Sequence, residues 1–239
     1  MARIYEDRAE LYDAVYAWKD YAADAVRLVA LLEAIGVPRG GRVLEAAVGT
    51  GGHAAHLREL YDVEGFDLSE GMLAVARRKL PGVRLWQADL RAFAVDEPVD
   101  ALLCLFSSIG YLLDEQALRQ AASAMARAVR PGGALIVEPW FTAEQIDVGR
   151  PSLQTVDQPD LKIARVSTVW LEGEIFVNPI QYLVARRGQP LEHFEEEHRL
   201  WCAPRELQLR VLDEAGFDVR DQPDGLTPGR GLLLGVRRG

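Results

Sequence analysis

The sequence predicts an α/β fold with a doubly wound, mostly parallel sheet and a small antiparallel β insertion. Between residues 42 and 140, short apolar segments typical of strands alternate with amphipathic segments typical of helices. Apolar strands separated by helices indicate a parallel sheet that is covered by helices on both faces. After about residue 150 this alternation stops. β-branched and aromatic segments then follow one another, with turn residues at Glu172–Gly173 and Gly188.

The chain begins with a helical segment and continues with alternating strands and helices. Residues 5–35 have helical spacing, with several leucines on one face, and GVPRGG ends the segment. Ser69 is suited to cap the helix that follows the second strand, and Glu70 suits its first turn. Strands are predicted at 42–47, 62–67, 83–89, 99–107 and 134–140. Helices are predicted at 51–60, 69–80 and 114–130, the last one ending at PGG, residues 131–133.

The rest of the chain contains the insertion, one helix and a final strand. Antiparallel strands are predicted within residues 162–201, a helix at 203–217 that ends at Gly216, and a strand at 231–238. We therefore expect a single domain over residues 1–239. Its predicted parts are an N-terminal helical lid (1–35), a cofactor-binding core (40–150), the insertion (160–201), and a C-terminal helix and last strand (203–239).

Composition excludes several functional classes. The 239 residues are 49% hydrophobic and 26% charged, which is ordinary for a globular protein. A net charge of −9 argues against a broad basic face for nucleic acid, although a local arginine cluster could hold a small anion. Two cysteines, Cys104 and Cys202, are too few for a disulfide framework. With no apolar segment of about 18 residues and no secretion signal, we expect a cytosolic protein that does not enter a membrane.

The first strand leads into a glycine-rich loop that also carries a carboxylate. The loop runs Ala47-Val48-Gly49-Thr50-Gly51-Gly52, and Glu45 precedes it. A dinucleotide needs the spacing G-x-G-x-x-G so that its pyrophosphate can approach the helix N-terminus, where a fixed negative charge is unfavourable. A ligand without phosphate, but with an ammonium and a sulfonium group, tolerates or favours that carboxylate. S-adenosylmethionine (SAM) is such a ligand.

Two acids follow later strands of the predicted sheet. Asp67 ends the second strand, 18 residues after Gly49, where a carboxylate can accept hydrogen bonds from both hydroxyls of a ribose. Asp89 follows the third strand. Each acid alone could be a strand-end cap.

In order along the chain, Glu45, Gly49, Gly51, Asp67, Asp89 and the later PGG resemble the class I SAM-dependent methyltransferases, over residues 40–140. That resemblance implies a Rossmann-like fold, with Asp67 on the ribose and Asp89 on the adenine amino group. Alanine at position 47 departs from the glycine that is usual in that family.

Further segments resemble one subfamily over nearly the whole chain. They are ELYDAVYAWKDY (10–21), CLFSSIGYL (104–112), VEPWF (137–141), EGEIFVNPIQYLVA (172–185), EEEHRLW (195–201) and PGRGLLLG (228–235). They are similar to the N,N-dimethyltransferases that act on nucleotide-linked (dTDP-type) aminosugars in antibiotic biosynthesis, of the desosamine and mycaminose type. The most specific parts are KDY, FSSIGYL and EPW. The resemblance implies SAM-dependent methylation of a sugar amino group.

The resemblance also implies roles for individual residues. The cofactor-binding residues would be Tyr12, Tyr21, Glu45, Ala46, Ala47, Gly49, Gly51, Asp67, Leu68, Met72, Asp89, Leu90 and Leu105. The residues beside the methyl-accepting amine would be Tyr5, Tyr111 and Glu138. The substrate-binding residues would be Trp140, Arg165, Ser167, Tyr182, His198 and Arg230, with the two arginines suited to a diphosphate.

Methyl transfer from a sulfonium needs little acid–base chemistry. The acceptor must present a neutral lone pair about 3 Å from the methyl carbon, so positioning can supply most of the rate. Position 111 is histidine in some relatives and tyrosine here, which argues against an obligatory imidazole base. A tyrosine or Glu138 could still accept the proton, but Glu138 could equally bind backbone amides at its strand end.

Several alternatives stay open at this point. The chain could methylate the nitrogen or oxygen of another small metabolite, or it could bind SAM without catalysis. An NAD-dependent oxidoreductase is disfavoured by the loop spacing. A metal site at His193 and His198 is not expected, because an odd separation places them on opposite faces of a strand. A homodimer formed through the β insertion is expected from its exposed strands.

Overall fold

The computed structural model describes residues 3–239 and contains two β-sheets. The larger sheet has seven strands in the order β11-β12-β5-β4-β1-β2-β3. Strands β1 to β5 are mutually parallel, whereas β12 pairs antiparallel with β5 and β11 with β12. Its strands are β1 (Arg42–Ala46), β2 (Asp62–Asp67), β3 (Arg84–Gln87), β4 (Val99–Cys104), β5 (Val129–Val137), β11 (Phe217–Gln222) and β12 (Leu232–Arg237).

Helices cover both faces of this sheet, as predicted. Alternate residues of one strand point to opposite faces, so Leu44 packs with α5 and α6 while Val43 packs with α2, α3 and α4. Asp20, Ser69 and Asp114 cap α2, α4 and α5 by accepting hydrogen bonds from backbone amides. The helices are α1 (Ala9–Val15), α2 (Tyr21–Ile35), α3 (Ala54–Leu57), α4 (Glu70–Lys79), α5 (Glu115–Ala128) and α6 (Arg205–Glu214).

The second sheet is antiparallel and packs on the N-terminal segment. Its order is β10-β9-β7-β6, and β8 pairs with β9. Buried residues of this sheet, among them Ile180 and Phe194, pack against Leu11 and Val15 of α1 and Met72 of α4. Its strands are β6 (Pro151–Gln158), β7 (Leu161–Thr168), β8 (Trp170–Glu172), β9 (Ile175–Arg186) and β10 (Glu192–Trp201). The insertion predicted from the sequence is therefore present, but its first strand begins before residue 160.

Several predicted elements differ from the structure. The N-terminal segment is two helices rather than one, and the helix predicted at 51–60 forms only at Ala54–Leu57. PGG lies inside β5, next to a register shift between β4 and β5, rather than between a helix and a strand. Strand β11 was missed because most of its residues are polar and only Phe217 is buried. None of the helices in residues 3–239 has both the length and the apolar character needed to span a membrane.

Candidate active site

A cavity of about 960 Å³ opens at the edge of the large sheet where its parallel strands end. This edge is where α/β sheets bind ligands. The volume lies at the upper end of the range of roughly 300–1,000 Å³ that is usual for small-molecule sites. The loops after β1, β2, β3 and β4 form one side, and residues of the N-terminal segment and β10 form the other.

The loop after β1 presents Glu45 to this cavity. The Glu45 side chain is 3% exposed, and its Oε1 lies 3.4 Å from Nδ1 of His53. Its Oε2 is buried and has no hydrogen-bond partner within the described chain. An unpaired buried carboxylate oxygen is costly, so this atom fits a cationic or hydrogen-donating ligand group. It would repel a pyrophosphate, which is evidence against a dinucleotide at this loop.

Three further ionisable side chains lie behind Glu45. Asp24 Oδ2 lies 2.6 Å from Nζ of Lys19 and 3.2 Å from Nε2 of His53. Burial opposes protonation of His53, but its hydrogen bonds to Asp24 and Glu45 outweigh burial and raise the pKa of the imidazole. Burial also opposes ionisation of Asp24, yet His53 and Lys19 hold its pKa low. We call these four residues the Glu45 cluster. Sequence reasoning missed all of it except Glu45.

Asp67 holds the first two loops together. Its Oδ2 accepts from the Gly49 amide at 2.8 Å, and its Oδ1 accepts from the Ser69 amide at 2.9 Å. Burial raises the pKa of Asp67, and these two hydrogen bonds oppose that rise. Gly49 has φ of +58°, which is the left-handed region that favours glycine. Each Asp67 oxygen keeps acceptor capacity, which suits a ribose diol.

A further part of the cavity is flanked by Asp89 and apolar side chains. Asp89 accepts hydrogen bonds from the backbone amide and the guanidinium of Arg91, which hold its pKa low. Leu90 and Met72 are buried beside it, and Leu68 is exposed on the cavity wall. This combination of apolar walls with one carboxylate edge suits a purine that carries an amino group.

Tyrosines of the N-terminal segment lie over the loop after β1. A Cβ built on Gly52 would lie 2.5 Å from Cε1 of Tyr21, so the absence of a side chain there lets Tyr21 approach the backbone. Tyr12 is 7% exposed and packs on Tyr16 with ring centroids 4.5 Å apart. Both Tyr12 and Tyr21 line the cavity, and their predicted role over the cofactor stays a prediction.

A hydrogen-bonded row of side chains bounds the opposite end of the cavity. Tyr5 Oη lies 2.8 Å from Tyr111 Oη, which lies 2.7 Å from His198 Nδ1. His198 Nε2 lies 2.9 Å from Glu196 Oε1. We call these four residues the Tyr5 chain. Sequence reasoning missed Glu196, although Glu196 and His198 are two apart on β10 and therefore share a face.

The loop after β4 is held in an unusual backbone conformation. Phe106 and Ser107 have φ of +51° and +60°, which is rare for residues with side chains. Glu138 is fully buried; one oxygen accepts from the Phe106 amide at 2.7 Å and the other from the Thr227 amide at 3.1 Å. Ser107 Oγ donates to the Pro139 carbonyl at 2.7 Å. These bonds favour a positioning role for Glu138 over the predicted catalytic one, which stays a prediction.

An arginine with free donors lies beside this loop. Arg230 is 9% exposed, and its guanidinium lies 4.6 Å from the Trp140 ring and 5.6 Å from the Phe106 ring. Within residues 3–239, Arg230 Nε and Nη1 and Trp140 Nε1 are buried without hydrogen-bond partners. Burial lowers the pKa of Arg230. Arg165 lies 5.7 Å over the Tyr16 ring and has a buried Nε that is likewise unpaired among the described residues.

The structure brings Tyr5, Tyr111 and most of the predicted cofactor residues to one cavity. Glu138 and the predicted substrate residues, Arg165 and Arg230 among them, are not part of the lining of this cavity. The predicted cofactor residues all line it except Ala46, which is buried in β1, and Gly51, whose backbone packs on Leu80. Tyr182 has no exposed surface and donates to Glu196 at 2.9 Å, so its predicted contact with a diphosphate stays a prediction. The predicted substrate contacts of His198, which is buried, and of Ser167 on β7 also stay predictions.

The two histidines of β10 face opposite sides, as predicted. His198 is 4% exposed, whereas His193 is exposed and contacts Gln181 at 2.7 Å. Opposite faces of one strand keep the two imidazoles from sharing a ligand.

The residues at the cofactor end fit SAM. The unpaired Glu45 oxygen matches a cationic amino group, Asp67 matches a ribose, and Tyr21 closes over Gly52. Glu45 therefore suits the cationic amino acid part of SAM, and Asp67 suits the diol of its nucleoside part.

Comparison with known proteins gives consistent matches. Residues 43–133 match the family model described as "Methyltransferase domain". The dTDP-3-amino-3,6-dideoxy-alpha-D-glucopyranose N,N-dimethyltransferase of Streptomyces fradiae is 38% identical, over 95% of this chain and 90% of that protein. The dTDP-3-amino-3,4,6-trideoxy-alpha-D-glucopyranose N,N-dimethyltransferase of Streptomyces venezuelae is 35% identical, over 98% and 99%.

Solved structures agree with these relatives. The crystal structure of Streptomyces venezuelae DesVI superimposes with a TM-score of 0.90 at 33% identity, covering 97% of this chain and 98% of that one. SAM-bound CalS10, an amino pentose methyltransferase from Micromonospora echinaspora, gives 0.85 at 30% identity, with 95% and 96% covered.

Proposed function

The chain belongs to the SAM-dependent methyltransferase family that includes the dTDP-aminosugar N,N-dimethyltransferases, and on that premise we propose that it methylates the amino group of a nucleotide-linked deoxy-aminosugar. The cofactor is SAM. The relatives named above act on dTDP-linked aminosugars, and the described chain carries the cavity that such a reaction requires.

The main support for a nucleotide-linked acceptor is the set of unpaired hydrogen-bond donors around Arg230. A buried guanidinium without a hydrogen-bonded partner is costly, so its place in the fold argues for an anionic ligand. Two Arg230 nitrogens and the Trp140 indole N–H are free to donate there, counting partners from residues 3–239. Arg165 adds a second guanidinium, linked to Arg230 through the rings of Tyr16 and Phe106. Paired cationic forks suit a diphosphate.

The protein contributes binding and orientation to the reaction. SAM supplies a methyl group activated by its sulfonium. Asp67, Asp89 and Glu45 bind the cofactor by its ribose, adenine and amino acid parts. The arginines anchor the diphosphate, and Tyr5 and Tyr111 accept hydrogen bonds from the amine so that its lone pair is directed into the cavity.

The test is a panel of acceptors. The protein is incubated with SAM and, separately, a dTDP-linked amino-deoxysugar, its hydroxyl analogue and the free aminosugar, and products are measured by mass spectrometry. We expect two added methyl groups on the amine of the dTDP-linked compound. Methylation of hydroxyl acceptors alone, or equal rates with the free aminosugar, would contradict the proposal and favour another small metabolite as substrate.

An arginine variant tests the diphosphate anchor. Arg230→Met removes charge-assisted hydrogen bonds of about 1.5–3 kcal/mol in total, so KM for the dTDP-sugar should rise roughly 10- to 100-fold with KM for SAM unchanged. The matched control is Arg187→Met, which removes the same charge from an exposed turn where Arg187 pairs with Asp160. Equal KM values in both variants would argue against the anchor.

We also propose that the second sheet mediates a homodimer. Leu153, Val166 and Leu183 are exposed on three paired strands of that sheet. An exposed apolar face supports association of two copies. Light scattering should give twice the chain mass, and Leu153→Lys should give the monomer. The cytosolic location stays a prediction.

A further inference from the structure

The Tyr5 chain ends in a buried carboxylate that the methyl transfer itself does not need. Glu196 is 8% exposed. Its Oε1 accepts from Tyr182 at 2.9 Å and lies 2.9 Å from Nε2 of His198, and its Oε2 accepts from the Ile4 amide at 2.9 Å. Burial disfavours the ionised form, but these hydrogen bonds, that of His198 first, hold the pKa of Glu196 low. The carboxylate is therefore anionic and accepts at every bond it makes.

We propose that Glu196 and His198 are positioning residues that act through Tyr111 to remove the proton from the substrate amine. This inference rests on the proposed function. The inference depends on Glu196 and His198 because their hydrogen bonds fix the direction of donation along the whole Tyr5 chain.

The direction follows from the hydrogen-bond capacity of each group. Because ionised Glu196 can only accept, the proton between it and His198 resides on Nε2. A neutral imidazole protonated at Nε2 has a bare Nδ1, so the Tyr111 hydroxyl donates to it at 2.7 Å. The Tyr5 hydroxyl in turn donates to Tyr111 at 2.8 Å. All hydrogens then point away from the cavity, and both phenol oxygens offer lone pairs toward it.

The hydrogen-bond-accepting oxygens of Tyr5 and Tyr111 suit an amine that must lose a proton. An aminosugar arrives largely as an ammonium, whose lone pair is occupied. Burial raises the pKa of both Tyr5 and Tyr111, so neither phenol holds a negative charge as a base on its own. Tyr111 can accept a proton only while its own proton passes to His198.

The step balances with groups that the chain supplies. One N–H bond of the ammonium breaks, an O–H bond forms at Tyr111 Oη, and the original Tyr111 proton moves to Nδ1 of His198. The products are a neutral amine with a free lone pair and an imidazolium that is hydrogen-bonded to the Glu196 carboxylate. No electron is transferred, and no further reactant is required.

The remaining ionisable groups around the chain are few. Arg165 of β7 faces it, with its guanidinium 5.7 Å over the Tyr182 ring, and Tyr182 of β9 donates to Glu196. Tyr12 and Tyr16 pack on the side of Tyr5. Glu195 and Glu197, the neighbours of Glu196 on β10, are exposed. Glu196 is thus the carboxylate in direct contact with His198 in the described structure.

The pH dependence of His198→Gln tests the relay. Glutamine keeps a hydrogen-bonding group but takes no proton at neutral pH, so kcat/KM at pH 7 should fall about 100-fold. The loss should shrink toward alkaline pH, where the amine is neutral in solution, while the affinity for S-adenosylhomocysteine stays unchanged. A loss that is constant across pH would overturn the relay. The matched control is His193→Gln on the outer face of β10, which should retain the wild-type profile.

The tautomer of His198 gives a second readout that needs no turnover. The chain has four histidines, so ¹⁵N-histidine spectra are assignable by comparison with His198→Gln. We expect Nε2–H with a bare Nδ1, and Glu196→Gln should disturb that state. A neutral imidazole protonated at Nδ1, or an imidazolium that carries protons on both nitrogens in the free enzyme, would overturn the inference even if the wild-type enzyme methylates aminosugars. If the wild-type enzyme methylates none, the proposed acceptor fails, while the tautomer still decides the direction of the chain.

Discussion

The two ends of the cavity each contain a buried carboxylate beside an imidazole, but their surroundings differ. At the cofactor end, His53 lies between Glu45 and Asp24, and Lys19 neutralises part of that charge. At the acceptor end, His198 lies between Glu196 and the phenol of Tyr111. Hydrogen bonds to two carboxylates raise the pKa of His53, and the Glu45 cluster presents an unpaired carboxylate oxygen to the cavity. The Tyr5 chain presents hydroxyls instead.

The difference shows that the second hydrogen-bond partner of the imidazole, a carboxylate for His53 and a phenol for His198, determines the chemistry of each carboxylate–imidazole pair. A second carboxylate raises the pKa of the imidazole and adds negative charge beside it, which suits binding of a cationic cofactor. A phenol connects the carboxylate–imidazole pair to the cavity by a hydrogen bond. A proton can then move along these hydrogen bonds, which suits an acceptor that must be deprotonated.

The largest effect is expected at Glu138, a buried carboxylate that has no imidazole partner. Glu138→Ala leaves the amides of Phe106 and Thr227 unpaired, so the free energy of unfolding should fall by about 3 kcal/mol. Glu138→Gln keeps one acceptor oxygen and should lose less. Chemical denaturation measures both. Wild-type stability of Glu138→Ala together with lost turnover would restore the catalytic role that the sequence suggested.

At the cofactor end, Asp67→Ala should weaken binding of S-adenosylhomocysteine by about 2 kcal/mol, or roughly 30-fold. The variant removes the ribose acceptor and also frees the Gly49 and Ser69 amides. Asp67→Asn keeps one acceptor oxygen and serves as the graded control in calorimetry. Unchanged affinity in Asp67→Ala would show that the ribose lies elsewhere.

The two ends also differ in how far the sequence predicts them. The cofactor end is built from loops that follow consecutive strands, so Glu45, Gly49, Asp67 and Asp89 are recognisable from local spacing. The acceptor end joins segments far apart in the chain: Ile4 and Glu196 are 192 residues apart, and Tyr5 and Tyr111 are 106 apart. Local patterns contain no information on such contacts, so Tyr5 and Tyr111 followed only from the family resemblance.

Other misses have the same physical origin. The cluster behind Glu45 depends on helix α2 packing over the loop after β1, which no pattern in the loop encodes. Strands β6 and β11 are mostly polar and exposed, so they lack the apolar alternation by which strands are recognised. The pair Glu196 and His198 did show the period of a strand, but only the fold shows which face of β10 is covered.

The stability that the Glu45 cluster contributes should depend on pH. The pKa of His53 is raised in the folded protein, so its stabilising contribution is complete below the unfolded value of about 6.5 and is lost as pH rises through the folded pKa. His53→Gln should therefore cost about 1.5 kcal/mol at pH 6 and less at pH 9. His56→Gln, at an exposed position of the helix that His53 immediately precedes, is the control. A cost that grows with pH would mean that His53 is neutral, which would remove the contrast with His198.

The smallest effects are expected from backbone strain in the loops at the two ends. Ala47 and Ser107 both have positive φ, at +55° and +60°. Left-handed backbone costs residues with a Cβ roughly 1–2 kcal/mol, whereas glycine avoids that cost but gives up about 0.4–1 kcal/mol through the unfolded chain. Ala47→Gly should therefore stabilise the protein by about 0.5 kcal/mol, since the alanine methyl makes no hydrogen bond.

Ser107→Gly should act in the opposite direction. It relieves the same backbone conformation but removes the buried hydrogen bond from Ser107 Oγ to the Pro139 carbonyl, so a net loss of about 1 kcal/mol is expected. Thermal denaturation of both variants measures the difference. If both glycine variants stabilise the protein equally, the Ser107 hydroxyl contributes nothing to holding the loop after β4. The backbone at Phe106 would then be held only by its hydrogen bond to Glu138. The loop after β4 would be no more tightly fixed than the loop after β1.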